Sequence, residues 1–277
     1  MIISVMSPHT QDNGTTTVSM LAALGLGSMK KRVLLTHTSS YSETFYNYLG
    51  LHQFEDKTST PTQMVKLLRE GAIQSEAIAD YCKNVAENVY VFTNNKSNFS
   101  EEDMLTLSEY LVEHSDFDYL IYDFNDFESD NAKFILKNSD VIILNFTQSY
   151  KELDDFKRDS VKYSKMFAGK KLILVCNKFN SLISKDSDIP KRLGLKAPCY
   201  VMHYNPWLVY ASNSGQLLQL YRNIRAKNSK VIELNNDINR LASVITKVRI
   251  ASIKQRQAEK KAARGTAQSD GGVGDVK

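Results

Sequence analysis

Cysteine is scarce in this chain. Cys82, Cys176 and Cys199 are the only three in 277 residues, odd in number and unevenly spaced. They build no disulfide framework and show no metal-ligand spacing, which fits a reducing, cytosolic compartment. Long apolar runs are missing too, and none approaches the ~20 residues of a membrane-spanning helix. No basic stretch precedes an apolar core at the start of the sequence, so no secretory signal is expected. A dominant charge of one sign is also lacking. The net charge is +4, and much of the excess lies toward the C-terminal end. The body of the chain is therefore not a strongly basic nucleic-acid binder. No internal repeat is visible, and the length suffices for one α/β core.

The stretch from Met1 to Thr38 carries the clearest pattern. Ile2 to Val5 is a short apolar run that suits a buried strand, and a loop from Ser7 to Gly14 follows. Thr15 to Gly27 has helical apolar spacing at Val18, Leu21, Ala22, Leu24 and Gly25. Val33 to Leu35 reads as a second buried strand. Strand, loop, helix and strand in this order form a βαβ unit with a right-handed crossover. Its loop precedes a helix N-terminus, where folds of this kind bind phosphate.

Here the sequence resembles the ParA/MinD family of P-loop ATPases. That family carries K-G-G-x-G-K-T-T at this place, and this chain has Thr10-Gln11-Asp12-Asn13-Gly14-Thr15-Thr16-Thr17. Gly14, Thr16 and Thr17 match. Thr10 and Thr15 stand at the two lysines, and Gln11 and Asp12 at two glycines. The loop keeps the position of a P-loop and loses its charge. After the second strand, His37 and Ser39 stand where the family has aspartates that organise magnesium-bound and attacking water.

Further matches follow in the family's order. The apolar run Phe117-Asp118-Tyr119-Leu120-Ile121-Tyr122 ends in Asp123, at the place of the Walker B aspartate. A carboxylate at that strand end faces the ligand crevice of a parallel sheet. The strand Lys171 to Cys176 runs into Asn177-Lys178, which resembles the family's base-recognition element. Asn205-Pro206 opens a turn, and Ala211-Ser212-Asn213-Ser214-Gly215 resembles the A-x-x-x-G that ends a short helix near the adenine. Trp207 reads as a packing anchor.

Other expected elements are helices over Pro61 to Glu70, Glu101 to Glu113 and Tyr150 to Phe167. Strands are expected over Val89 to Phe92, Asn138 to Leu144 and Ala197 to His203, and loop over Leu51 to Ser59. Ser100 with Asp103 resembles a capping box. Lys230 to Arg264 reads as one long helix. It has an apolar stripe at Ile238, Leu241, Val244, Ile245 and Val248 and a basic end from Lys247 to Arg264. The tail is expected to be disordered.

The expected architecture is α/β: a mostly parallel sheet flanked by helices, P-loop NTPase-like, with a long C-terminal helix. The expected divisions are a P-loop-like domain at 1–228, a basic helix at 229–264 and a tail at 265–277. The resemblance implies ATP or ADP with magnesium, held weakly through Gly14, Thr15, Thr16, Thr17, Asp123, Asn177 and Pro206, with Thr16 and Asp123 on the metal side. Hydrolysis is expected to be very weak or absent. The implied role is a homodimeric localisation or scaffold factor for a secretion, pilus or conjugation machine, as in the TadZ group. It would be cytoplasmic or peripheral at the inner face of the membrane. The second reading is an active ATPase for DNA partitioning or positioning. The basic helix is a candidate contact for an anionic membrane or DNA.

Overall fold

A computed structural model describes residues 1–8, 13–40, 42–51, 61–73, 75–93, 99–225 and 231–269. The strands are β1 (Ile2–Met6), β2 (Val33–His37), β3 (Lys83–Ala86), β4 (Val89–Val91), β5 (Tyr119–Asp123), β6 (Val141–Phe146), β7 (Lys171–Phe179) and β8 (Cys199–His203). They form one sheet of eight in the order β3-β4-β2-β5-β1-β6-β7-β8. Every neighbouring pair is parallel except β3 with β4. The mostly parallel sheet expected from the apolar runs is present. Its central strands β1, β2, β5 and β6 are buried along their whole length, so they read as continuous apolar runs and not as alternation.

The helices are α1 (Thr15–Ser28), α2 (Glu43–Tyr48), α3 (Pro61–Arg69), α4 (Glu101–His114), α5 (Asp130–Asn138), α6 (Tyr150–Arg158), α7 (Ser160–Met166), α8 (Asp188–Leu193), α9 (Pro206–Asn213), α10 (Leu217–Arg225) and α11 (Ile232–Ser269). Helices α3 to α8 cover one sheet face through Met64, Leu107, Leu111, Ile135, Phe156 and Ile189, which pack with Leu34, Leu120, Ile142 and Leu174 of the strands. Helix α1 belongs to the other face and is buried on all sides from Val18 to Gly27. A helix apolar all round needs cover beyond the sheet. Tyr221 of α10 supplies part of it by donating its hydroxyl to the Leu24 carbonyl at 2.8 Å. The first turns of α11 supply more. A Cβ on Gly25 would stand 2.9 Å from Ile238 Cγ2 and 3.1 Å from Ala242 Cβ, so this crossing requires glycine.

Several boundaries differ from expectation. The helix expected over Tyr150 to Phe167 is two, broken at Asp159, because Asp-Ser is a weak helix pair whose side chains compete for backbone groups. Helices α5 and α8 and the edge strand β3 were not expected from periodicity, being short. Strand β2 continues through His37, which is therefore a sheet residue. Trp207 is 48% exposed, so it is no buried anchor. Of the stretch expected as loop, Leu51 to Ser59, residues 52–59 lie outside the described residues. The capping box on α4 is present with both bonds: Asp103 N–H to Ser100 Oγ at 3.0 Å and Ser100 N–H to Asp103 Oδ2 at 2.9 Å.

The chain divides into two compact units, Met1–Ala242 and Ser243–Lys277. The division falls inside α11. The helix also runs past Arg264 to Ser269, with Ala267 and Gln268 as good helix formers. Among the described residues no helix is long and apolar enough to cross a membrane.

Candidate functional site

The parallel strands end together, and polar side chains gather at their carboxyl ends. In sheet order these are His37 on β2, Asp123 on β5, Ser7 after β1, Asn145 on β6 and Asn177 on β7, all buried. Buried polar groups gathered at the carboxyl ends of parallel strands mark the ligand crevice.

The loop between β1 and α1 is held from below. Thr10, Gln11 and Asp12 lie outside the described residues. Asn13 donates its side-chain amide to Ser7 Oγ at 2.6 Å, and its backbone carbonyl takes two amide donors. Asn145 Nδ2 reaches that carbonyl at 2.7 Å and Asn177 Nδ2 at 3.0 Å. Asn177 Oδ1 accepts from the Lys178 backbone N–H at 2.8 Å, so both ends of the Asn177 amide are engaged inside the protein. Gly14 caps α1 at φ 71°, and a Cβ there would lie 2.4 Å from Asn177 Nδ2. Left-handed backbone and close approach both require glycine at this position.

Asp123 is met by two hydroxyls of α1. Thr16 Oγ1 donates to Oδ2 at 2.7 Å, and Ser19 Oγ lies 3.0 Å from Oδ1. Ser19 Oγ also lies 3.0 Å from the Thr15 carbonyl, so its single proton is shared between the two acceptors. Burial pushes the Asp123 carboxyl up to about 6, and the two hydroxyls pull it part of the way back. Among the described residues no ion pair involves this carboxylate. A hard oxygen donor with unbalanced charge beside a threonine hydroxyl suits magnesium and its water shell.

His37 is buried, and both ring nitrogens are occupied. Nδ1 lies 2.7 Å from the Ser39 carbonyl, and Nε2 lies 2.9 Å from Thr93 Oγ1. A carbonyl only accepts, so Nδ1 carries the proton and Nε2 accepts from Thr93. Burial drives the imidazole down to about 4, so it is neutral at pH 7.

A cleft of ≈ 260 Å³ opens beside the loop, lined by Gly14, Thr17, Asn177 and Lys178 on one side and by His203, Leu208, Val209 and Ser212 on the other. It falls just below the ~300–1,000 Å³ of ligand pockets. His203 is anchored to α11, where the buried Asp237 accepts from its backbone N–H at 2.9 Å and lies 3.0 Å from Nδ1. Asn205 caps α9 by accepting from the Trp207 and Leu208 N–H groups, with Pro206 at the first helical position.

Of the expected site residues, the cleft thus brings together Gly14, Thr17 and Asn177. Thr16 joins Asp123 beside it. Thr15 stands in the first turn of α1, and Pro206 does not line the cleft. Asn13, Ser19, Asn145 and Ser212 were missed. Asn145 had a readable signal, a polar residue within the apolar run Val141-Ile142-Ile143-Leu144, as did Ser19 in the apolar stretch of α1.

No protein-family model and no curated protein matches the chain's sequence. Solved structures do match its shape. The septum site-determining protein MinD from Pyrococcus horikoshii, complexed with Mg-ADP, aligns over 91% of this chain and 98% of its own, with TM-score 0.64 and 19% identity. A ParA family ATPase from Chlorobium tepidum aligns over 87% and 98%, with TM-score 0.65 and 16% identity. A putative plasmid partition protein from Borrelia burgdorferi, bound to AMPPNP, aligns over 81% and 96%, with TM-score 0.57 and 16% identity. The fold is that of the MinD and ParA ATPases. At this identity the likeness concerns the fold alone. On the MinD/ParA fold the crevice described above lies where such sheets place ligands, and its charge comes from this chain's own residues.

Proposed function

We propose that this chain is a MinD/ParA-type protein that binds a magnesium nucleotide weakly and hydrolyses it very slowly or not at all. It acts as a localisation or scaffold factor, not as a motor. The observation that carries this reading is His37. At the position where the resembling family keeps a water-handling aspartate stands a neutral imidazole, buried, with both nitrogens already hydrogen-bonded. Such a ring offers water no free base.

The phosphate side supports the same reading. Thr15 stands at the phosphate lysine, and loss of a charge-assisted hydrogen bond costs roughly 1.5–3 kcal/mol, or about 10- to 150-fold in affinity. Thr16 and Asp123 would hold magnesium, which supplies the positive charge that Asp123 lacks. The first-turn amides of α1 would face the phosphates. Mg-ADP and AMPPNP in the structural neighbours favour a nucleotide as the ligand. Dimerisation and a client protein follow from the resemblance. One neighbour is a MinC:MinD cell division protein complex from Aquifex aeolicus, which favours a partner protein for this chain as well. A secretion, pilus or conjugation machine is the client class we assign.

Isothermal titration with ATP and magnesium, together with a phosphate-release assay, tests the proposal. Weak binding without measurable turnover is expected. Micromolar affinity with steady turnover would overturn it in favour of an active partitioning ATPase. Light scattering with and without ATP tests the dimer: a dimer that forms only with ATP contradicts a scaffold role.

A further inference from the structure

Helices α6, α7 and α8 leave a groove open on their side of the sheet. It measures ≈ 580 Å³, against ≈ 260 Å³ for the crevice at the strand ends, and falls within the ~300–1,000 Å³ of ligand pockets. Phe156, Tyr163 and Phe167 stack along it, with successive ring centroids 4.6 and 5.8 Å apart. Leu193 and Leu195 line it from α8 and the residues that follow. Between them a Cβ on Gly194 would meet nothing within 4 Å, so that wall is open. Val161 of α7 also lines the groove and is 68% exposed. An exposed apolar side chain on an apolar groove is the pattern of a docking surface.

The groove is set in positive charge. From Lys157 to Lys171 the sequence holds six basic residues and a single acid, Asp159. Lys157 lines the groove, and Lys162, Lys165, Lys171 and Lys196 stand next in sequence to residues that line it. All five are exposed, and among the described residues no ion pair holds any of them. Arg158 and Arg192 are by contrast tied to Asp155 and Asp154. The chemistry that fits is an acidic occupant with an apolar face. A lipid bilayer takes up a protruding apolar surface, not a concave floor whose rings are 9% exposed or less. A second copy of this chain meeting the same face sets lysines against lysines. Strand β7 is flanked by β6 and β8, so no sheet edge is open there to an extended segment. An amphipathic helix laid in the groove meets both conditions, with apolar anchors at i, i+3, i+4 and i+7 and carboxylates toward the lysines.

We propose that the groove between α6, α7 and α8 is the docking site for an acidic amphipathic helix of a partner protein. This rests on the client-protein reading above, to which it adds the surface and the chemistry of the segment that docks, and it is independent of the nucleotide site. Lys157 and Lys165 pair with Asp or Glu at the rim, which steers encounter and fixes orientation. Val161 and the aromatic floor cover the apolar anchors, which carry the affinity.

The test selects short peptides from an unbiased displayed library on the full chain, then measures the most enriched sequence as a synthetic peptide by fluorescence anisotropy. Enriched sequences should carry apolar residues at helical spacing and an excess of Asp and Glu. The peptide should bind about 10-fold more weakly to Val161→Glu and to the double variant Lys157→Glu/Lys165→Glu, and its affinity for wild type should fall as salt rises. The three positions are exposed, so both variants should melt with wild type. If Val161→Glu melts lower, the lysine variant decides alone. Enrichment of basic or uncharged sequences, no enrichment, or equal binding to wild type and variants overturns the inference. Light scattering and sedimentation with anionic liposomes, on wild type and Val161→Glu, read the other occupants. A dimer or a liposome-bound state that Val161→Glu abolishes gives the groove to a second copy or to lipid and overturns the helix. A client recovered from the native host whose binding ignores Val161→Glu and the lysine variant keeps the client reading and overturns this inference alone.

Discussion

At the scale of single residues, Asp123 and Gly14 show how the site is held under tension. Asp123 gains its proton more readily folded than unfolded, since burial lifts it to about 6 from an unfolded value near ~3.9. Protonation therefore favours folding. The contribution is fully present below the unfolded value and is lost as pH rises through about 6, an effect of about 3 kcal/mol. The neutral isostere avoids that loss. Asp123→Asn should be more stable than wild type at pH 7.5 by about 2–3 kcal/mol, with the gap closing toward pH 4. Urea melts of both proteins across this range give the difference directly, and a gap that does not change with pH rules the account out. His37 contributes the opposite slope because burial lowers its imidazole to about 4, but it is common to both proteins and cancels. Gly14→Ala should lose about 1–3 kcal/mol, from positive-φ strain and from the contact with Asn177. The same melts read this loss, and wild-type stability would show that the loop relaxes without cost.

At the scale of elements, helix ends and strand ends carry different information. Helix α4 is specified locally: Ser100 and Asp103 satisfy each other's backbone N–H, and Arg69 of α3 reaches Asp103 at 2.9 Å. Ser100→Ala removes the cap at a cost of about 0.5–2 kcal/mol and leaves nucleotide binding untouched. Denaturant unfolding beside an ADP titration checks both halves, and a change in ADP affinity would contradict so local a role. The β1–α1 loop is specified at long range instead. Its Asn13 carbonyl is gripped by Asn145 and Asn177, residues of two later strands. The first turn of α1 is therefore positioned by the sheet and not by a capping side chain of its own.

At the scale of the molecule, the second unit holds the basic stretch of the sequence. From Lys247 to Arg264 the sequence holds Lys247, Arg249, Lys254, Arg256, Lys260, Lys261 and Arg264, and within it Ile250 and Ile253 are exposed. A basic helix with a few exposed apolar side chains suits an anionic surface, each Lys or Arg adding about 1 kcal/mol near a negative membrane. Full-length protein should sediment with anionic liposomes, and binding should fade as ionic strength rises beyond ~0.15 M, where charges are screened within ~8 Å. A chain stopped after Lys247 should lose this binding. If it sediments equally well, the segment is a solvated helix without that role. A DNA shift assay on the same pair reads the competing polyanion.

The architecture was legible in the sequence because its causes are local. A strand buried on both faces must be a continuous apolar run, and a helix opening after Gly14 must follow a loop, so β1, α1, β2, β5, β6 and β7 could be read in order. Short elements such as α5, α8 and β3 lack enough turns or alternation to declare themselves. The positions of Gly14, Thr16 and Asp123 were legible through their place at strand and helix ends. What the side chains do there was not. The Thr16–Asp123 bond joins residues 107 apart, and the Asn177–Asn13 bond residues 164 apart. Only strand order and register bring those atoms within reach, since β5 and β6 lie on either side of β1. Hence the pattern of residues determined that a crevice exists at these strand ends. The tertiary structure decided that the Asn145 and Asn177 amides grip the Asn13 carbonyl of the loop.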